Sequence, residues 1–145
     1  MNNLSYILVI EDNPNVQYTM TRRIEEAGHR VLCTDDILTA DSYLENNPGL
    51  GAIKYIFVDL SIPCPDDYFS EDEKTFAFST YGLNNNGWLW LKRKLSKYQE
   101  IQEKVFVCSA RKEYYHEYEE IKKMGIPYIN KGEPDAFERV IENLK

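Results

Sequence analysis

Tyr6-Ile7-Leu8-Val9-Ile10-Glu11-Asp12-Asn13-Pro14 is the stretch on which the reading of this chain turns. Its apolar, β-branched start is too short for an ordinary helix and reads as a buried strand. The run stops abruptly on two carboxylates. Asn13 and Pro14 then supply the cap and first turn of a helix. Val16, Met20, Ile24 and Ala27 follow at helical spacing until Gly28 ends the pattern.

The same unit recurs along the chain. Residues 30–34 read as a second strand, and 39–46 as a helix closed by Asn47-Pro48-Gly49. Tyr55-Ile56-Phe57-Val58 is a third strand ending on Asp59. After Pro63 the pattern lapses until a helix over 88–98, in which Trp88, Leu91 and Leu95 read as core. Val105-Phe106-Val107-Cys108 is a fourth strand ending on Ser109, and Tyr114, Tyr118 and Ile121 mark the next helix, stopped by Gly125. Residues 127–130 form a fifth strand ending on Lys131, and Phe137, Val140, Ile141 and Leu144 stripe a last helix. Apolar strands alternating with amphipathic helices predict an α/β fold, a doubly wound, five-stranded parallel sheet with helices on both faces.

Composition narrows the function. At 145 residues the chain reads as one domain, 1–145, long enough to bury its own core. The hydrophobic and aromatic fractions, 43% and 13%, exclude a disordered chain. A net charge of −7 argues against direct nucleic-acid binding, which needs clustered Lys and Arg. Cys33, Cys64 and Cys108 are widely spaced and odd in number, which predicts free thiols and a reducing, cytoplasmic setting. The polar opening residues do not read as a signal peptide, and no apolar run is long enough to span a membrane.

The chemistry-bearing residues fall at strand ends. Glu11 and Asp12 follow strand one, Asp59 strand three, Ser109 strand four and Lys131 strand five. In a doubly wound sheet, ligands bind at the carboxyl ends of the strands, so these side chains can converge on one crevice. Three clustered carboxylates repel one another unless a cation sits among them, and a hard divalent ion takes oxygen ligands. A lysine and a hydroxyl opposite suit the oxygens of a phosphoryl group, and charge neutralisation with in-line placement is what phosphoryl transfer needs.

This arrangement closely resembles the receiver-domain family of two-component response regulators. The matching stretches are Ile7-Leu8-Val9-Ile10-Glu11-Asp12, Val58-Asp59-Leu60-Ser61-Ile62-Pro63, Val107-Cys108-Ser109-Ala110 and Tyr128-Ile129-Asn130-Lys131. They span nearly the whole chain except 64–86. The resemblance implies a flavodoxin-like sheet of order 2-1-3-4-5. It also implies a signalling module that catalyses only its own Mg2+-dependent phosphorylation and dephosphorylation. By it, Asp59 is the phosphoacceptor. Asp12 binds Mg2+ directly, Glu11 through water, and Asp59 and the Ser61 carbonyl complete the protein ligands. Ser109 and Lys131 hold the phosphoryl group, and Tyr128 is the aromatic that turns inward when Ser109 moves. The implied partners are a sensor histidine kinase or histidine phosphotransfer protein, and a downstream protein or second copy docking on the fourth helix, fifth strand and fifth helix.

Three positions depart from the family pattern. Glu11 replaces the commoner Asp, keeping the charge and lengthening the reach. Gly132 replaces the proline that usually follows the lysine, and a trans bond is expected there. Gly87 follows Asp59 after 28 positions where the family has about eight, an insertion at 64–86. The inserted segment holds five acidic residues, one lysine and five aromatics. Its acidic first half is expected to stay exposed and its second half, Phe76 to Tyr81, to pack beside the third helix. Other readings are a receiver-shaped interaction module that does not cycle phosphate, and an enzyme on the same fold. A haloacid-dehalogenase-type phosphatase needs a second Asp where Ser61 stands. A flavodoxin needs a phosphate loop where Glu11 and Asp12 would repel phosphate.

Overall fold

The computed structural model describes residues 4–82, 85–110, 116–133 and 135–144. Five parallel strands lie in the order β2-β1-β3-β4-β5: β1 Tyr6–Ile10, β2 Arg30–Thr34, β3 Ile53–Asp59, β4 Val105–Ser109 and β5 Tyr128–Asn130. This is the expected doubly wound sheet. The helices are α1 Pro14–Glu26, α2 Ile37–Glu45, α3 Glu71–Tyr81, α4 Asn86–Lys97, α5 His116–Lys123 and α6 Ala136–Glu142. The predicted third, fourth and fifth helices are therefore α4, α5 and α6, because the insertion adds one of its own.

Strand alternation sorts the core into two layers. Ile7 and Val9 of β1 and Phe57 of β3 face Met20 and Ile24 of α1 and Ile141 of α6. Leu8, Ile10, Ile56 and Val58 face the other way, onto Ile37, Ala40 and Leu44 of α2, Trp88 and Leu91 of α4, and Ile121 of α5. Both faces of the sheet's centre are thus dry, which is why β1 and β4 are continuous apolar runs rather than alternating ones.

Local signals set the element ends. Asn13 Oδ1 accepts from the amides of Asn15 and Val16 at 2.9 and 3.3 Å, capping α1 ahead of Pro14. Asp36 caps α2 by accepting from the Leu38 amide, so that helix begins at Ile37 rather than residue 39. The last helix stops at Glu142, although Leu144 still packs on its layer of the core. Tyr114, expected in the fourth helix, lies outside the described residues.

The insertion corrects the sequence reading most. It contains a helix, started by a reciprocal capping box in which the Ser70 side chain accepts from the Glu73 amide and Glu73 accepts from the Ser70 amide. Phe76 and Phe78 do not pack as expected: they stand 55% and 63% exposed. The buried face of α3 is Ala77 and Tyr81, one helical turn apart, and Phe76 and Phe78 diverge by about 100° to either side of Ala77. Tyr81 enters the core from the helix, and ahead of it so does Phe69. Burying its ring is worth about 1.5–3 kcal/mol. Of the five acidic residues expected to stay exposed, Asp66, Asp67, Glu71 and Asp72 do, while Glu73 is half-buried against Arg93.

Candidate functional site

The strand order reverses direction between β1 and β3, and the crevice opens at their carboxyl ends. β1 delivers Glu11, 1% exposed, and β3 ends on Asp59, 6% exposed. Asp12, one residue on, is exposed. Carboxylate oxygens of Glu11, Asp12 and Asp59 all lie within 4.8 Å of one another. Lys131, just past β5, reaches in from the far side. Its Nζ donates to Asp59 Oδ2 at 3.0 Å and to Glu11 Oε1.

Backbone amides aim the two buried carboxylates. The Asn13 amide donates to Glu11 Oε2 at 3.1 Å, and the Ser61 amide to Asp59 Oδ1 at 3.2 Å. Burial pushes the Glu11 carboxyl up to about 7; the Lys131 hydrogen bond pulls against this and the Asp59 charge adds to it. Burial draws the Lys131 ammonium down, but the charge of Asp59 and the hydrogen bond to Glu11 outweigh it and hold Lys131 above the ordinary lysine value. Three carboxylates against one ammonium leave a net negative hollow lined by hard oxygen donors. That donor set fits a divalent cation of the magnesium type.

Ser109 is fully buried at the end of β4, one position beyond Cys108, the register partner of Asp59. Its carbonyl accepts from the Lys131 amide at 2.9 Å, which ties the ends of β4 and β5 together. Tyr128 is half-buried on β5, its ring edge-on to Tyr118 of α5 at 4.9 Å between centroids. It belongs to the α5–β5 side, apart from the carboxylates. The Lys131–Gly132 bond is trans.

No protein-family model matches the chain, and no curated protein matches it by sequence. Solved structures do match its fold. The non-phosphorylated HemR receiver domain from Leptospira biflexa superposes with a TM-score of 0.65 at 18% identity, over 97% of each chain. A response regulator from Thermotoga maritima matches at 0.61 and 17% identity, over 96% of each. The chemotaxis protein CheY4 of Vibrio cholerae matches at 0.59 and 13% identity, over 98% of this chain and 99% of its own. This chain has a receiver-domain fold.

Within that receiver fold, two supports of the site escaped sequence reasoning. The Ser61 amide, rather than only its carbonyl, holds the Asp59 side chain. Gly87, at the start of α4, lies against the Asp59 backbone: its amide donates to the Leu60 carbonyl at 2.8 Å, and a Cβ there would sit 1.9 Å from the Asp59 carbonyl oxygen. The family spacing had singled out Gly87 but not this contact; the further signal was a glycine in the first turn of a helix, where glycine is otherwise unfavourable.

Proposed function

We propose that residues 1–145 form a single phosphoacceptor receiver domain in which an Asp59 carboxylate oxygen attacks the phosphorus of a phosphohistidine on a sensor kinase or phosphotransfer protein. The N–P bond breaks, the imidazole leaves, and an acyl phosphate forms on Asp59. The observation that carries this reading is the convergence of Glu11, Asp12 and Asp59 within 4.8 Å, with the Lys131 ammonium among them, at the carboxyl ends of a receiver-type sheet.

Glu11, Asp12, Asp59 and the Ser61 carbonyl are the groups that would hold Mg2+, Glu11 through water. Bound there, the ion supplies the positive charge that offsets the phosphoryl oxygens. The Ser61 amide fixes Asp59 Oδ1, and Oδ2, which Lys131 holds before transfer, is the nucleophile once that ammonium turns to the phosphoryl group. Lys131 pairs with a phosphoryl oxygen, and the Ser109 hydroxyl donates to another. Recruitment of Ser109 frees space for Tyr128 to turn inward, which changes the surface of α5, β5 and α6. That is a population shift driven by one new charge. A cytoplasmic signalling role, with a downstream protein or second copy docking on that surface, follows from this reading.

The test is direct phosphorylation. With Mg2+ and acetyl phosphate the protein should gain one acid-stable, base-labile phosphoryl group, and Asp59→Ala should abolish it. Equal labelling of Asp59→Ala would move the site elsewhere, and a parent that takes no label would leave an interaction module that does not cycle phosphate.

A further inference from the structure

The inserted segment leaves the sheet at Asp59 and comes back to Asp59. Its outgoing end follows β3 after the four residues 60–63, and its return is fixed where Gly87 packs on the Asp59 carbonyl and bonds Leu60. Between these points α3 is held at both ends. On the outgoing side the Tyr68 hydroxyl donates to Asp41 of α2 at 2.6 Å. Arg93 of α4 grips Glu73 with two hydrogen bonds, at 3.0 and 2.9 Å, and the Tyr68 carbonyl at 3.3 Å.

The far end reaches α5. The Tyr81 side chain is buried, and its hydroxyl donates to Glu120 of α5. Lys92 of α4 donates to the same hydroxyl at 2.8 Å and pairs with Glu120 at 2.9 Å. Three helices therefore meet at one hydrogen-bonded node. Separating Tyr81 from Glu120 would leave the half-buried Tyr81 hydroxyl without its acceptor and Glu120 with Lys92 alone, so the node couples α3 to α5.

We propose that α3 is a second mechanical link from Asp59 to α5, running through the Tyr81–Lys92–Glu120 node and parallel to the route through Ser109 and Tyr128. It rests on the phosphoacceptor reading and adds a regulatory element to it. Movement of the Asp59 loop on phosphorylation pulls on a helix whose far end is fastened to the switching surface. Tyr81, Lys92 and Glu120 are positioning residues in this scheme, since none of them touches the reacting atoms.

The experiment is amide hydrogen exchange on the full chain, with and without beryllofluoride and Mg2+, for the parent, Tyr81→Phe, Glu120→Gln and the double variant. Tyr81→Phe keeps the ring and its packing, so the fold is retained. The expected result without beryllofluoride is exchange in α5 faster by about 2- to 30-fold in each single variant. The double variant should be no faster than either single one. With beryllofluoride, the variants should lose the response at α5 while keeping it around Ser109 and Lys131. Single-variant effects that simply add, or an α5 response equal to the parent's, would overturn the link and leave the phosphoacceptor reading intact. A parent with no beryllofluoride response anywhere would instead overturn that reading, and the link with it.

Discussion

Replacing Gly87 by alanine tests the close approach of α4 to the end of β3. A Cβ there would lie 1.9 Å from the Asp59 carbonyl oxygen, 2.8 Å from the Leu60 Cα and 2.9 Å from the Asp59 carbonyl carbon. All three are backbone atoms, so no side-chain rotation relieves the clash. Bringing the closest contact to 3.0 Å means opening the α4–β3 junction by about 1.1 Å. That places the substitution at the upper end of overpacking penalties, about 3 kcal/mol. For a domain of this size the loss corresponds to a fall of roughly 6–12 °C in Tm. Gly51→Ala is the control, because nothing lies within 4 Å of its Cβ position; it should stay within about 0.5 kcal/mol of the parent. Urea unfolding and thermal melts on the three proteins give the comparison, and acetyl-phosphate labelling of Gly87→Ala should also fall as Asp59 is displaced. Equal midpoints for Gly87→Ala and Gly51→Ala would mean that α4 does not abut the strand as described.

Asp41→Ala removes the acceptor shared by Tyr68, Trp90 and Lys94, and leaves the buried Lys94 ammonium with Glu45 alone; urea unfolding should show a loss of about 3–5 kcal/mol, and a loss below about 1 kcal/mol would contradict the network. Deleting residues 66–84 and closing the gap with a short glycine linker should lower Tm, because Phe69, Ala77 and Tyr81 leave the core. It should spare acetyl-phosphate labelling and slow transfer from the cognate kinase; an unchanged Tm, transfer rate and phosphate lifetime would make the segment a passive loop. Asp12→Ala should weaken Mg2+ binding in a calorimetric titration, whereas Lys131→Ala should still bind the ion but lose the beryllofluoride response. Parent-like Mg2+ affinity in Asp12→Ala would remove the carboxylates from the metal site.

The sheet was legible because its central strands β1, β3 and β4 are largely buried on both faces. Residues 6–10 and 105–108 carry enough uninterrupted apolar character to be read without neighbours, and the polar residues that close or follow β1, β3, β4 and β5, namely Glu11, Asp59, Ser109 and Lys131, mark the edge of the site. Glu11, Asp12, Asp59 and Lys131 were legible for the same reason. The helix α3 was not. Its aromatic pair Phe76 and Phe78 has the spacing of a strand, and of its two inward residues Ala77 is too small to register as apolar patterning, which leaves Tyr81 alone. The Ser70 to Glu73 capping box was the signal that marked it. Asp41 was illegible on different grounds. It lies on α2, 27 residues from Tyr68 and 49 from Trp90, and no local periodicity encodes a partner at that distance.

That shared carboxylate bears on how such a segment persists over generations. Asp41 gathers a phenol from the insertion, an indole and an ammonium from α4, all onto two oxygens. Arg93 is committed likewise, its guanidinium turned to Glu73 and to the Tyr68 carbonyl. Losing either carboxylate alone therefore leaves donors elsewhere in the group short of an acceptor, while the same residues exchanged as a set would leave none. A helix fastened in this way resists piecemeal change: substitutions that would be neutral one by one elsewhere must here come together.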